Sequence, residues 1–210
     1  NASKAVIDCG LRNVHNDTCY PALLVIGQLI DALKSGKYDL NKVALLITQT
    51  GGGCRASNYI YLLRKALKKS GFEKIPVVSL NFSGFEENQA FKITLPMLWK
   101  LVNGILIADL LMCLQNQTKS YEINKGESEA LATQWIDKIC KGKALTSFSA
   151  LKKEANLILK DFDNILRTNE PKAKVGIVGE IYIKYSPLGN NNLEDFLLNE
   201  NCEVVVPGFL

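Results

Sequence analysis

Two of the six cysteines stand where a thiolate could do chemistry. Cys19 and Cys54 each lie directly before a segment with helical periodicity, at 22–33 and at 55–70. The start of a helix presents unpaired N–H groups and the positive end of the helix dipole, and both stabilise an anion. Thiols at helix starts are in general more acidic than free cysteine, so more of the reactive thiolate is present. The two placements make metal binding a hypothesis, with a phosphate-binding turn or a simple tight turn before a helix as the alternatives.

A run of glycines adds to the case for the second of these positions. Gly51, Gly52 and Gly53 precede Cys54 at the carboxyl end of a predicted strand, and Arg55 follows it. Glycines let backbone N–H groups approach an anion closely, whether thiolate, inorganic sulfide or phosphate. The segment lacks the Lys-Ser/Thr pair of a P-loop, and the chain contains no GxGxxG, so nucleotide binding is weakly supported. A soft anionic cofactor, a bound phosphate and a simple tight turn all stay open.

The remaining cysteines and the single histidine carry weaker signals. Cys113 lies in the apolar stretch LLMCL, which predicts a buried structural thiol. For Cys9 we expect a packing role, and Cys140 and Cys202 have no evident function. His15 is expected to lie on the surface. One histidine excludes His-rich metal sites, and six cysteines among 210 residues are too few for a disulfide scaffold. The net charge of +4 is spread along the chain and does not indicate nucleic-acid binding.

Hydrophobic patterning places these residues in an α/β fold. Apolar runs predict strands at 42–48 and 76–81, on either side of the helix at 55–70. This order is a βαβ unit and therefore predicts a parallel sheet. Three further helices are predicted near 90–117, 126–141 and 147–166, followed by a strand at 174–179, a short helix at 191–199 and a strand at 203–206.

These elements predict three portions of the chain. A first α/β portion would span 1–88, a helical connecting segment 89–170, and the start of a second α/β portion 171–210. We expect Rossmann-like parallel βαβ units with a helical insertion, truncated at the C-terminus. The chain begins without a methionine and ends directly after a predicted strand, so we expect a piece of a longer polypeptide. The longest apolar stretch, 105–114, falls short of the ~20 residues that span a bilayer, which favours a cytoplasmic protein.

The motif-bearing segments resemble a known family. They are NDTCYPALLVIGQLIDALKSGKYD, LLITQTGGGCRASNYIYLLRKALKKSGF and KVGIVGEIYIKYSPLGNNNLEDFL, followed by EVVVPGF. They are similar to the 2-hydroxyacyl-CoA dehydratase-like family, and more narrowly to its branch of acyl-CoA dehydratase activase-related proteins. The resemblance is strongest over 16–84 and 174–208. In that branch the region is one part of a longer polypeptide with activase-type ATPase domains, whose motifs this chain lacks.

The resemblance implies an iron–sulfur protein of anaerobic metabolism. It implies a [4Fe–4S] cluster in the parent protein and ATP-driven, low-potential electron transfer to an acyl-CoA-type substrate. Cys19 and Cys54 match the motif cysteines and are the expected ligands, with Glu180 as a further cofactor-binding candidate. Since such clusters take three or four thiolates, the ligand set is incomplete. The missing ligand would come from outside the chain or from Cys9, Cys113, Cys140 or Cys202.

Two other functions stay open at this point. One is a non-catalytic docking or electron-relay module for an activase ATPase, and the other is an anion- or phosphate-binding α/β module that uses the glycine triplet and Arg55. The expected partners are the remainder of the same polypeptide, an activase-type ATPase domain and acyl-CoA, with neither nucleic acid nor a membrane. The parent would be a lyase- or reductase-type enzyme, and this piece alone would be inactive.

Overall fold

The chain forms two compact units, each mixing helices with short parallel strands. The computed structural model describes residues 4–15, 17–49, 55–81, 94–142 and 144–209. Unit 1 comprises Asn1–Lys92 and Ser186–Asn191, and unit 2 comprises Ile93–Tyr185 and Asn192–Leu210. Both are mostly helical. The predicted α/β class is confirmed, whereas the described residues contain only two-stranded sheets, so a Rossmann-like sheet stays a prediction.

Unit 1 is built on a βαβ arrangement. Its elements are α1 (Lys4–Asn13), α2 (Tyr20–Lys34), β1 (Leu45–Gln49), a 3-10 helix (Arg55–Asn58), α3 (Tyr59–Lys69), β2 (Val77–Asn81) and α8 (Pro187–Asn190). Strands β1 and β2 pair in parallel, with Leu45 opposite Val77 and Gln49 opposite Asn81. The predicted parallel pair joined by a helix is therefore confirmed. Its core lies between the sheet and helices α2 and α3, where Ile26, Ile30, Ile47, Ile60, Leu63 and Leu67 are buried.

Helix α1 was not predicted, and two glycines explain how it packs. It lies against α2, and a Cβ on Gly27 would overlap the carbonyl oxygen of Val6. A Cβ on Gly10 would likewise overlap the carbonyl oxygen of Leu23. The two helices therefore approach each other closely at positions where only glycine fits.

Unit 2 combines a helical core with a second parallel strand pair. Its elements are α4 (Leu95–Lys119), α5 (Glu127–Lys141), a 3-10 helix (Ala144–Thr146), α6 (Phe148–Asp163), β3 (Lys174–Gly176), α7 (Ile181–Tyr185), α9 (Leu193–Asn199) and β4 (Glu203–Val205). Helices α4, α5 and α6 enclose Ile107, Leu111, Trp135, Ile158 and Phe162. Strands β3 and β4 pair in parallel, and α4 and α9 pack against β4. Strand β3 is shorter than predicted: it ends at Gly176, although the N–H of Ile177 still donates to the carbonyl oxygen of Val205, and the chain bends at Gly179.

Helix α4 is longer and more apolar than the sequence stretch 105–114 suggested. It runs for 25 residues, and an 18-residue window within it has a mean hydropathy of 1.8 with 17% buried, so by length and composition it could cross a membrane. Asp109 interrupts the apolar run without ending the helix. Both of its carboxylate oxygens accept a hydrogen bond from the backbone N–H of Phe209, at 2.9 and 2.8 Å. The carboxylate therefore has a hydrogen-bond partner within this apolar helix.

Candidate functional site

Cys19 is the N-cap residue of α2. Its backbone is extended, with φ −59° and ψ 147°, and its carbonyl oxygen accepts the N–H of Leu23. Pro21 occupies the first turn of the helix, where its missing N–H costs nothing. The predicted position of Cys19, immediately before a helix, is confirmed. Its side chain is half-buried, so the thiol is neither enclosed in the core nor fully solvated.

The thiol of Cys19 contacts a tyrosine from another helix. Its Sγ lies 2.8 Å from Oη of Tyr59, the first residue of α3. Either group can donate in this hydrogen bond, and a tyrosine hydroxyl that donates to sulfur stabilises the negative charge of a thiolate. The contact brings the starts of α2 and α3 together. No sequence signal singled out Tyr59, because 40 residues separate it from Cys19.

A buried amide fixes the segment that leads into α3. Gln49, the last residue of β1, donates from Nε2 to the carbonyl oxygen of Ser57 at 2.9 Å. Its Oε1 accepts from the hydroxyl of Ser79 on β2 at 2.7 Å. The end of β1 is thereby tied both to the neighbouring strand and to the 3-10 helix before Tyr59. A polar residue at the end of an apolar strand is the signal that could have indicated Gln49.

The glycine triplet, Gly51, Gly52 and Gly53, and Cys54 lie outside the described residues. Their predicted roles in binding a cluster or an anion therefore stay predictions. Arg55 begins the 3-10 helix, but its side chain is also outside the described part. Tyr59, which contacts Cys19, follows Cys54 by five residues in the sequence. This sequence proximity is the link between Cys54 and Cys19.

The other described cysteines have ordinary surroundings. Cys9 lies in the core of unit 1, and its carbonyl oxygen accepts from Asn13. Cys140 is exposed on α5, and Cys202 is half-buried just before β4. Among the described residues, no three His, Cys, Asp or Glu side chains are grouped so that they could hold a metal ion.

The prediction of a buried Cys113 is wrong. The side chain is exposed, and its sulfur accepts a hydrogen bond from Gln117 one turn further along α4. Helix α4 is apolar around most of its circumference, so the sequence pattern could not show which face is buried. Ile107 and Leu111 face the core, whereas Cys113 points away from them.

Glu180 caps a short helix in unit 2. Its carboxylate accepts the N–H of Ile183 at 3.2 Å, and its carbonyl oxygen accepts the N–H of Lys184. Its side chain is exposed. This arrangement accounts for a glutamate directly before α7, and its cofactor role stays a prediction.

A second polar cluster, which the sequence did not indicate, surrounds Glu203 on β4. This residue is 4% exposed and accepts hydrogen bonds from Oη of Tyr121 at 2.7 Å and from Nζ of Lys174 at 3.0 Å. The hydrogen bond with Glu203 raises the pKa of Tyr121 and also raises the pKa of Lys174. The cluster joins the two strands of unit 2 to the turn after α4 and has a structural role.

Comparison with known proteins returns no relative. No protein-family model, curated protein or solved structure matches the chain significantly. The function of the candidate site in unit 1 is therefore inferred from its own residues: the thiol at the start of α2, the tyrosine that contacts it and the amide that fixes the connecting segment.

Proposed function

We propose that unit 1 is the thiolate-bearing part of a 2-hydroxyacyl-CoA dehydratase-like iron–sulfur protein, with Cys19 as a cluster ligand. The observation that supports the proposal best is the contact between Cys19 and Tyr59. It places the first motif cysteine beside the first residue of the helix that follows Cys54 in sequence. Cys19 therefore lies beside the start of α3, the helix that follows Cys54 in the sequence.

The surroundings of Cys19 suit an anionic sulfur ligand. The residue occupies the N-cap position of a helix of 15 residues, where its side chain makes no capping hydrogen bond, and the helix dipole favours negative charge at this point. Partial burial lowers competition from water while leaving the sulfur open to a ligand. The hydroxyl of Tyr59 lies at hydrogen-bond distance from that sulfur and would donate to it when the sulfur is a thiolate, and such hydrogen bonds influence the potential of iron–sulfur clusters.

The described donors fit a cluster only in part. Cys19 is the thiol of unit 1 that faces outward in the described residues, since Cys9 packs among apolar side chains. Cys54 would be the second ligand, and the remaining ligands would come from a longer polypeptide. A [4Fe–4S] cluster supplies a low-potential electron, which here would pass to an acyl-CoA-type substrate. Tyr59 and Gln49 would hold the cysteine-bearing segments in place.

Anaerobic reconstitution with iron and sulfide tests the proposal. Because the remaining ligands would come from a longer polypeptide, the test uses that polypeptide, and we expect its wild type to retain iron and to develop the broad visible absorbance of sulfur-to-iron charge transfer. Cys19→Ala and Cys54→Ala should each lose most of both signals. Cys140→Ala removes an exposed thiol of unit 2 and is the matched control, which should behave as wild type.

The alternatives give different outcomes in the same preparation. If the wild type retains no more iron than Cys19→Ala, the ligand assignment is wrong. An increase of the melting temperature by phosphate or pyrophosphate without iron retention would indicate an anion-binding module instead. Binding of an activase-type ATPase domain without any binding of a CoA thioester would indicate an electron-relay module.

A further inference from the structure

A groove of about 520 Å³ lies between α3 and the start of β2 in unit 1. We call it the α3–β2 groove, and the residues that matter here are Arg64, Lys65, Lys68, Glu73, Pro76 and Val77. No described residue of β1 lines it, so it lies on the side of β2 that faces away from β1. It adjoins the second half of α3, whereas Tyr59 begins that helix, so the groove is separate from the thiol site.

The α3–β2 groove is positively charged. Three basic side chains line it against one acidic side chain, which leaves a net charge of +2. All three basic side chains come from α3, which contains no acidic residue. The acidic side chain belongs to Glu73 and lies 3.8 Å from Nζ of Lys68. This excess of positive charge at one wall of the groove complements a ligand that carries several carboxylates or phosphates.

The backbone of Val77 offers hydrogen-bonding groups on the groove side of β2. The N–H of Leu45 on β1 donates to the carbonyl oxygen of Pro76 at 2.9 Å, so that carbonyl faces β1. Successive residues of a paired parallel strand direct their backbone groups alternately to its two edges. The N–H and C=O of Val77 therefore point away from β1. Among the described strands only β1 pairs with β2, and an edge of this kind is a template for a further strand.

The spacing of the basic side chains matches an extended chain. Arg64 and Lys68 are one helical turn apart, which is about 6 Å along the axis of α3. The crossover helix of a βαβ unit packs along its strands, so a strand added to β2 would run beside α3. Side chains on one face of a strand recur about every 6.6–6.8 Å. Alternate carboxylates of such a strand would therefore meet Arg64 and Lys68 in turn.

A polypeptide fits the α3–β2 groove better than a phosphate does. A phosphate group satisfies the basic side chains, but it has no N–H to donate to the carbonyl oxygen of Val77. An acidic peptide supplies carboxylates for α3 together with a backbone donor and acceptor for the edge of β2. We infer that the α3–β2 groove binds an acidic, extended segment of a partner protein, which pairs with β2 as an added strand. This inference does not depend on the cluster proposed for Cys19.

Fluorescence anisotropy with the full chain tests the inference. The probe is a labelled peptide of five Glu-Thr repeats, which alternates carboxylates with a residue that favours strands. We expect saturable binding that weakens by at least about fivefold when salt rises from about 0.05 M to about 0.5 M. Five Lys-Thr repeats reverse the charge and should not bind. Five Glu-Pro repeats keep the charge but cannot form a strand ladder, and should bind at least about tenfold more weakly.

Two double variants provide the matched comparison. Lys65→Gln with Lys68→Gln removes two charges from the groove and should weaken binding of the Glu-Thr peptide by at least about fivefold. Lys152→Gln with Lys153→Gln removes the same charges from exposed positions of α6 in unit 2 and should bind as wild type does. Val77→Pro deletes the N–H at the free edge and should weaken binding by a similar factor. Equal melting temperatures of the two double variants would show that folding is unaffected.

Four results would overturn the inference. The first two are failure of the wild type to bind the Glu-Thr peptide and equal binding by the two double variants. The third is equal binding of the Glu-Pro and Glu-Thr peptides, which would mean that charge alone attracts the ligand and that no strand is added. The fourth is displacement of the probe by inorganic tripolyphosphate at lower concentrations than by unlabelled peptide, which would identify a phosphate site instead.

Discussion

The sulfur of Cys19 lies 2.8 Å from the hydroxyl oxygen of Tyr59, at the start of two different helices. The contact depends on the βαβ arrangement, because β1 ends just before the segment that leads to α3. Gln49 holds that segment through the carbonyl oxygen of Ser57. The segment that leads to Tyr59 is thus held by a part-buried hydrogen bond at the end of β1.

A double-mutant cycle measures the interaction between Cys19 and Tyr59. Tyr59→Phe should lower the free energy of unfolding by about 1 kcal/mol, because the sulfur loses its hydrogen-bond partner. In the double variant with Cys19→Ala, the loss in unfolding free energy should differ from the sum of the two single losses by about 0.5–1 kcal/mol in urea denaturation. The cycle cancels other contacts of the Tyr59 hydroxyl. Tyr61→Phe removes an exposed hydroxyl from the same helix and should change little; strict additivity of the Cys19 and Tyr59 substitutions would contradict the interaction.

Gln49 should contribute more to stability than a typical polar residue. Gln49→Ala removes both amide groups and leaves the Ser79 hydroxyl and the Ser57 carbonyl without this partner in a buried environment. We expect a loss of roughly 2–3 kcal/mol in thermal or chemical denaturation. Thr48→Ala, at the exposed neighbouring position of β1, should cost less than about 0.5 kcal/mol. Similar losses in the two variants would show that the hydrogen bonds of Gln49 are weak.

The features predictable from sequence are those determined locally. The start of α2 follows from Pro21 in its first turn, and the parallel pairing of β1 with β2 follows from the strand–helix–strand order. Helix α1 was missed because its packing depends on Gly10 and Gly27, whose role appears only when two helices meet.

The features that could not be predicted depend on contacts between distant residues. The Cys19–Tyr59 contact joins positions 40 residues apart, and Tyr121 and Glu203 are 82 apart. No periodicity encodes such pairs. The burial of Cys113 was wrongly predicted for a related reason: an apolar helix indicates its core-facing side only when its other side is polar.

Glu122 should make the stability of unit 2 sensitive to acid. Burial raises the pKa of its carboxyl, but hydrogen bonds from Ser128 and Gly126 outweigh this effect, and the net pKa is lowered from 4.5. A lowered folded pKa gives stability that is present above the unfolded value and is lost as pH falls through the folded value. Glu122→Gln should cost about 2 kcal/mol at pH 7 and progressively less below about pH 4.

The matched control is Glu170→Gln, which changes an exposed carboxylate. Its unfolding free energy should follow the wild type across the whole acidic range. If Glu122→Gln is equally destabilising at neutral and at acidic pH, the charge of Glu122 is not what stabilises the start of α5.

The cluster around Glu203 should make the stability of unit 2 depend on pH in the alkaline range. Its hydrogen bonds raise the pKa of Lys174 above 10.5 and the pKa of Tyr121 above 10.0. A raised folded pKa gives stability that is complete below the unfolded value and is lost as pH rises through the folded value, so unfolding should become easier above about pH 10. In denaturation from about pH 9 to about pH 12, Lys174→Met should flatten this dependence, whereas Lys153→Met, at an exposed position of α6, should preserve it. Preservation of the full alkaline slope in Lys174→Met would mean that the ion pair with Glu203 does not couple folding to proton binding.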